Sequence, residues 1–216
     1  MIAAGGLLLF PALRTRALSG VVRLAFAALT LGLILRAAVQ YQWEGAEVAV
    51  WPVGIAVLGI AMWASARGLV ARAGGASIPA GLLVLLTGLA TCSALTGSAK
   101  IGQLVGLLCA GVGAFWVVSW MRPGLRLLGN ELTLLVTAML GFGLCAHFYS
   151  ELPGLEASLL ALGGFTPWLA ELPIFASRSD RTRGVLRVVF VALVVGAAVA
   201  LSVASFEPDP YGDYEY

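Results

Sequence analysis

The chain has 216 residues, of which 60% are hydrophobic and only 11% charged, and its mean hydropathy is +0.97. A soluble domain is typically about 25% charged. These figures exclude a disordered chain, a disulfide-built secreted scaffold and a water-soluble globular domain, and leave a protein whose main solvent is lipid.

A helix crossing the hydrocarbon core needs about 20 mostly apolar residues. Taken in chain order, the segments 17–40, 48–66, 78–97, 101–121, 132–149, 157–177 and 185–206 meet that requirement. A shorter apolar stretch, 1–13, reaches only about 20 Å at 1.5 Å per residue. It is either a tilted eighth span or a helix lying at the interface. No basic region precedes it, so a cleaved signal peptide is not expected. The expected fold is therefore an all-α polytopic transmembrane helix bundle of seven or eight spans with short loops. Residues 1–206 form one membrane domain and 207–216 an acidic, aromatic tail.

The charges between segments carry the orientation. Arg14, Arg16, Arg23, Arg67, Arg72, Arg122, Arg126, Arg178, Arg181, Arg183 and Arg187 fall on one side, and only Arg36 and Lys100 on the other. Eight acids take the side with two bases: Glu44, Glu47, Glu151, Glu156, Glu207, Asp209, Asp213 and Glu215. Short-loop Lys and Arg mark the cytoplasmic face, so the C-terminus is expected outside. Twelve arginines against one lysine, with abundant Ala and Gly, suggest a GC-rich bacterial genome, and hence a bacterial cytoplasmic membrane. Tyr41, Trp43, Trp51, Phe148 and Tyr149 sit at outer edges, and Trp63, Trp116 and Trp120 near inner ones, as in an interfacial aromatic belt.

Polar groups inside lipid are expensive, so each one is a candidate. Arg36 lies one turn from Gln40 in the outer part of its span; it either snorkels outward or faces a polar cavity. His147 ends its span beside Phe148, Tyr149 and Glu151; it is a boundary residue or a proton-sensing one. The segment EASLLALGGFTPWLAELPIFASR is interrupted by Gly163, Gly164, Pro167 and Pro173. It carries Trp168 and Glu171. Irregular backbone persists at membrane depth only where protein or a wet cavity surrounds it. Glu171 thus either pairs with one of the arginines of the cluster that starts at Arg178 or lines a solute or ion path.

Two spans carry small residues every fourth position: Gly102, Gly106, Ala110 and Ala114, then Ala192, Gly196, Ala200 and Ala204. Such strips let helices approach closely. They serve packing inside the chain, a homo-oligomer, or docking on a larger membrane complex.

Enzyme motifs are weak. Cys92, Arg126 and His147 follow the residue order of exosortase-type membrane transpeptidases, which the TCSAL segment also superficially resembles. Alternating loops place Arg126 on the opposite side from the other two, which a working triad does not allow. Cys92, Cys109 and Cys145 lack metal-site spacing and read as small core residues. The single histidine excludes a two-histidine metal or haem site within this chain. No cofactor or metal is expected, and no soluble basic domain is present for nucleic acid. The expected role is a non-catalytic structural or accessory subunit, with a small-solute or ion transporter as the alternative. The expected partners are the lipid bilayer and a second copy or a larger membrane complex.

Overall fold

Serine and glycine punctuate this apolar chain into helices. In the computed structural model, which describes residues 16–41, 43–73, 76–122 and 129–206, the described residues form seven α-helices, two short 3-10 helices and no strand. The helices are α1 (Arg16–Tyr41), α2 (Glu47–Arg72), α3 (Ser77–Leu95), α4 (Ala99–Met121), α5 (Gly129–Tyr149), α6 (Gly154–Gly163) and α7 (Asp180–Ala204). The 3-10 helices, Thr166–Glu171 and Pro173–Phe175, lie between α6 and α7. The 1–13 stretch, Arg126 and the 207–216 tail lie outside the described residues.

Local signals set the boundaries. Ser98 caps α4 by accepting from Ile101 N at 3.3 Å, and Ser179 caps α7 by accepting from Thr182 N at 3.2 Å. Between α3 and α4, Gly97 adopts φ +102°, and Ser98 N returns to Ser93 O at 3.0 Å. A side chain there would strain the turn. Helix α2 runs six residues beyond the predicted 48–66 segment and ends on Arg72, whose charge complements the helix C-terminus.

Helices α2, α3, α4, α7 and residues Glu131–Tyr149 of α5 are long and apolar enough to cross a membrane. The apolar part of α1 is Ala25–Tyr41. The outward surface is rich in exposed Leu and Val, among them Leu29, Leu33, Val50, Leu107 and Leu193. An exterior of that kind is suited to lipid rather than water.

The chain divides into two units, Met1–Ala56 and Val57–Tyr216, with the boundary inside α2. In the first, α1 ends at Tyr41 and α2 begins at Glu47. Trp43 N donates to Ala38 O at 3.0 Å, and the Trp43 and Trp51 rings stack with centroids 6.2 Å apart.

In the second unit, α3 and α4 form an antiparallel pair. Gly102 packs tightly against α3: a Cβ there would lie 2.9 Å from Ala90 O and 3.1 Å from Ala94 Cβ. Helix α7 runs parallel to α3, as successive contacts show. Gly184 and Arg187 meet Ser77, Val191 meets Gly81, and Val195 meets Gly88. The core is built from Leu85, Leu86, Leu89 and Cys92 of α3, Val105 and Val112 of α4, Leu160 of α6, and Val191, Val195 and Ala198 of α7. Between apolar helices in lipid, dispersion at such close contacts supplies the attraction that water would otherwise supply.

The 157–177 segment is not one helix. Helix α6 has ten residues, about 15 Å, and the first 3-10 helix has six, about 12 Å. Together they approach the thickness of the hydrocarbon core, about 30 Å. They carry the chain along α3 toward its Ser77 end: Leu160 meets Gly88, Gly163 meets Leu85, and Glu171 bonds the same Arg187 that reaches Ser77.

Candidate functional site

At the arginine-rich end of the second unit, the 3-10 helix Thr166–Glu171 presents its last residue to α7. Pro167 occupies an early position of this helix, where the missing N–H costs little. Arg187 Nε and Nη2 both donate to Glu171 Oε1, at 2.8 and 2.5 Å. Arg187 Nη1 donates to Ser77 Oγ at 3.1 Å. Arg183 Nη1 lies 3.6 Å from Glu171 Oε2 and also pairs with Asp180. The central pair is withdrawn from solvent, with side-chain exposures of 5% for Arg187 and 10% for Glu171. One guanidinium therefore ties together α3, α7 and the broken segment between α6 and α7.

Trp168, three residues before Glu171, is held just as firmly. Its Nε1 donates to Ser65 Oγ at 2.7 Å, and its ring packs on Gly68, with 3.0 Å between Cζ2 and the place of a Cβ. The Arg72 guanidinium sits 4.8 Å from a Trp168 ring centroid. One turn further from the helix end, Trp63 Nε1 donates to Thr133 Oγ1 at 3.0 Å, and Arg67 lies over its ring. These indoles have an apolar body and a polar tip, and both tips are matched.

Of the residues singled out in sequence, Trp168 and Glu171 share this site. His147 does not: its Nδ1 donates to Leu152 O at 2.7 Å in the α5–α6 turn, and its ring meets Phe148 edge-on at 4.8 Å. Glu151 in that turn has φ +56°, in the left-handed region. Glycine would relieve that conformation. Glu151→Gly is expected to raise the thermal unfolding temperature in detergent, with a gain of up to about 1 kcal/mol.

Arg36 is exposed on α1. The first small-residue strip divides: Gly102 is buried against α3, Gly106 has nothing within 4 Å of a Cβ, and Ala110 and Ala114 are exposed. The second strip, Ala192, Gly196, Ala200 and Ala204, is exposed throughout.

Two charges counted in the sequence as loop charges are buried. Arg187 is 4% exposed and seven residues inside α7. The apolar flanks in GVLRVVF were the available signal. Glu156, counted among the outer acids, is 5% exposed in the first turn of α6. Ser77 and Ser202 gave no signal, because a serine in an apolar helix more often bonds its own backbone.

Glu171 Oε1 is hydrogen-bonded by Arg187, Oε2 is ion-paired with Arg183, and Arg183 Nε is buried without a hydrogen-bond partner. Among the described residues no group of three His, Cys, Asp or Glu is arranged to hold a metal ion. No known family matches the chain, nor does any curated protein or solved structure.

Proposed function

We propose that the chain is an integral protein of a bacterial cytoplasmic membrane, with its arginine-rich end inside and its C-terminus outside. In this reading it acts as a non-catalytic accessory subunit that docks a further transmembrane helix along α7. The observation that carries the proposal is the fully exposed strip of Ala192, Gly196, Ala200 and Ala204, with nothing within 4 Å of a Cβ at Gly196. Small residues every fourth position on a lipid-facing helix give up side-chain contact with lipid. Closer backbone approach to a second helix restores that contact. The Arg187–Glu171 lock supports the same reading, because it makes the broken segment a fixed corner.

Gly196→Leu together with Ala200→Leu is expected to abolish a stoichiometric companion, or self-association, in affinity purification from native membranes. The monomer's unfolding temperature should stay unchanged. Retention of the companion by this variant rejects the docking face.

The competing reading is a small-solute or ion path around Glu171. Its support is the non-α-helical backbone over Thr166–Glu171 and Pro173–Phe175. It requires the Arg187 pair to open, and solute flux into proteoliposomes that Glu171→Gln removes would favour it over docking.

A further inference from the structure

At the arginine-rich end the positive charges are unevenly spent. The carboxylates that close the first 3-10 helix and open α7, Glu171 and Asp180, are taken by Arg187 and Arg183. Arg72, the last residue of α2, is exposed and makes no ion pair among the described residues. Its position is fixed all the same. The guanidinium carbon lies 4.8 Å from a Trp168 ring centroid. That ring is itself anchored, because Nε1 donates to Ser65 Oγ at 2.7 Å and Cζ2 presses on α2 at Gly68. The attraction of a cation for a ring face holds the guanidinium without using any of its N–H donors.

We propose that Arg72, held over Trp168, binds the phosphate of an anionic phospholipid whose acyl chains run along Leu169, Leu172 and Ile174. A guanidinium fork matches two phosphate oxygens at once, and one that is already positioned loses less freedom on binding. Helix α2 is long and apolar enough to cross a membrane, so a residue at its end stands at headgroup depth. Directly after Trp168, the broken segment exposes Leu169, Leu172 and Ile174. An unspent cation beside apolar surface fits a lipid better than a soluble anion, which gains nothing from the apolar part.

The neighbouring arginines fit less well. Arg183 keeps one unpartnered nitrogen, but that atom is buried beyond the reach of a headgroup. Arg178 and Arg181 are exposed with no ring beneath them. Arg67 lies over Trp63, about 140° around α2 from Arg72 and so on another face. The proposal is independent of what docks on α7.

The test uses the full wild-type chain in detergent micelles, labelled with p-hydroxyphenylglyoxal, which modifies accessible guanidinium groups. Mass mapping should show that added phosphatidylglycerol protects Arg72 and leaves Arg181 reactive, whereas phosphatidylcholine protects neither. This measurement needs no variant to fold. In native mass spectrometry, Arg72→Gln should weaken binding of the first phosphatidylglycerol by about tenfold, the scale of a charge-assisted hydrogen bond. Arg181→Gln removes the same charge and should weaken it by no more than about twofold, as for an exposed, screened charge. Equal protection of Arg72 and Arg181, or equal losses in the two variants, overturns the proposal in favour of diffuse surface charge. Protection of Arg72 by inorganic phosphate at the same phosphorus concentration also overturns it, because the ligand would then be a soluble anion.

Discussion

Replacing Arg187 with leucine is expected to destabilise the protein by about 3–5 kcal/mol, the usual cost of leaving a buried charge without its partner. The substitution leaves the Glu171 carboxylate with only the half-buried Arg183, 3.6 Å away, and frees the Ser77 hydroxyl. Glu171→Ala should cost a similar amount, because it strands the guanidinium instead. The double variant Arg187→Leu, Glu171→Leu should recover most of the loss, since two desolvation penalties vanish together and apolar replacements of buried pairs are often neutral or better. Unfolding titrations of the four proteins in mixed detergent micelles give the coupling directly. Strict additivity of the two single losses would show that the residues act independently and that the lock does not exist.

A second large effect belongs to α4. Gly102→Val should cost more than the 1–3 kcal/mol typical of an overpacked core, because the nearest obstacle is the backbone oxygen of Ala90, which cannot rotate away as a side chain does. Gly106→Val, one turn along the same strip, meets open space and should be close to neutral. Both are read as shifts of the thermal midpoint. Equal losses would mean that the α3–α4 approach is not set at Gly102. The contrast matters because the two glycines are indistinguishable in sequence: the same motif is packed at one end and bare at the other.

That pair marks the limit of what the sequence shows. Helix locations were legible, because long apolar runs with charged ends have few other solutions. Six of the seven predicted segments correspond to α1–α5 and α7. The break in 157–177 was legible too, from Gly163, Gly164, Pro167 and Pro173. Its form was not. A proline announces a lost donor without saying whether the chain bends, rewinds as a 3-10 helix or stops. Pairing was legible only as an option: Glu171 had several arginines to choose from, and the helical phase of α7 selects Arg187 and Arg183 over the exposed Arg181, while Arg178 precedes the helix. Glu156 was assigned to solvent because a residue near a span end is usually wet. The fold instead buries it in the first turn of α6. Which residues face one another across 110 positions of chain is a property of packing and leaves no local mark.

The parallel contact of α3 with α7 also constrains the order of biosynthesis. Ser77 must wait for 110 further residues before Arg187 reaches it, while Glu171 precedes that arginine by only 16. A lone arginine entering a bilayer as part of a helix carries an insertion cost of about 2.5–3.5 kcal/mol. Arriving with its carboxylate already nearby, Arg187 can enter as half of a neutral couple and meet the older helix afterwards. Until α7 is made, α3 and α4 present an unfinished wall, and the newly synthesised protein must be kept from closing that wall with a neighbour's helix.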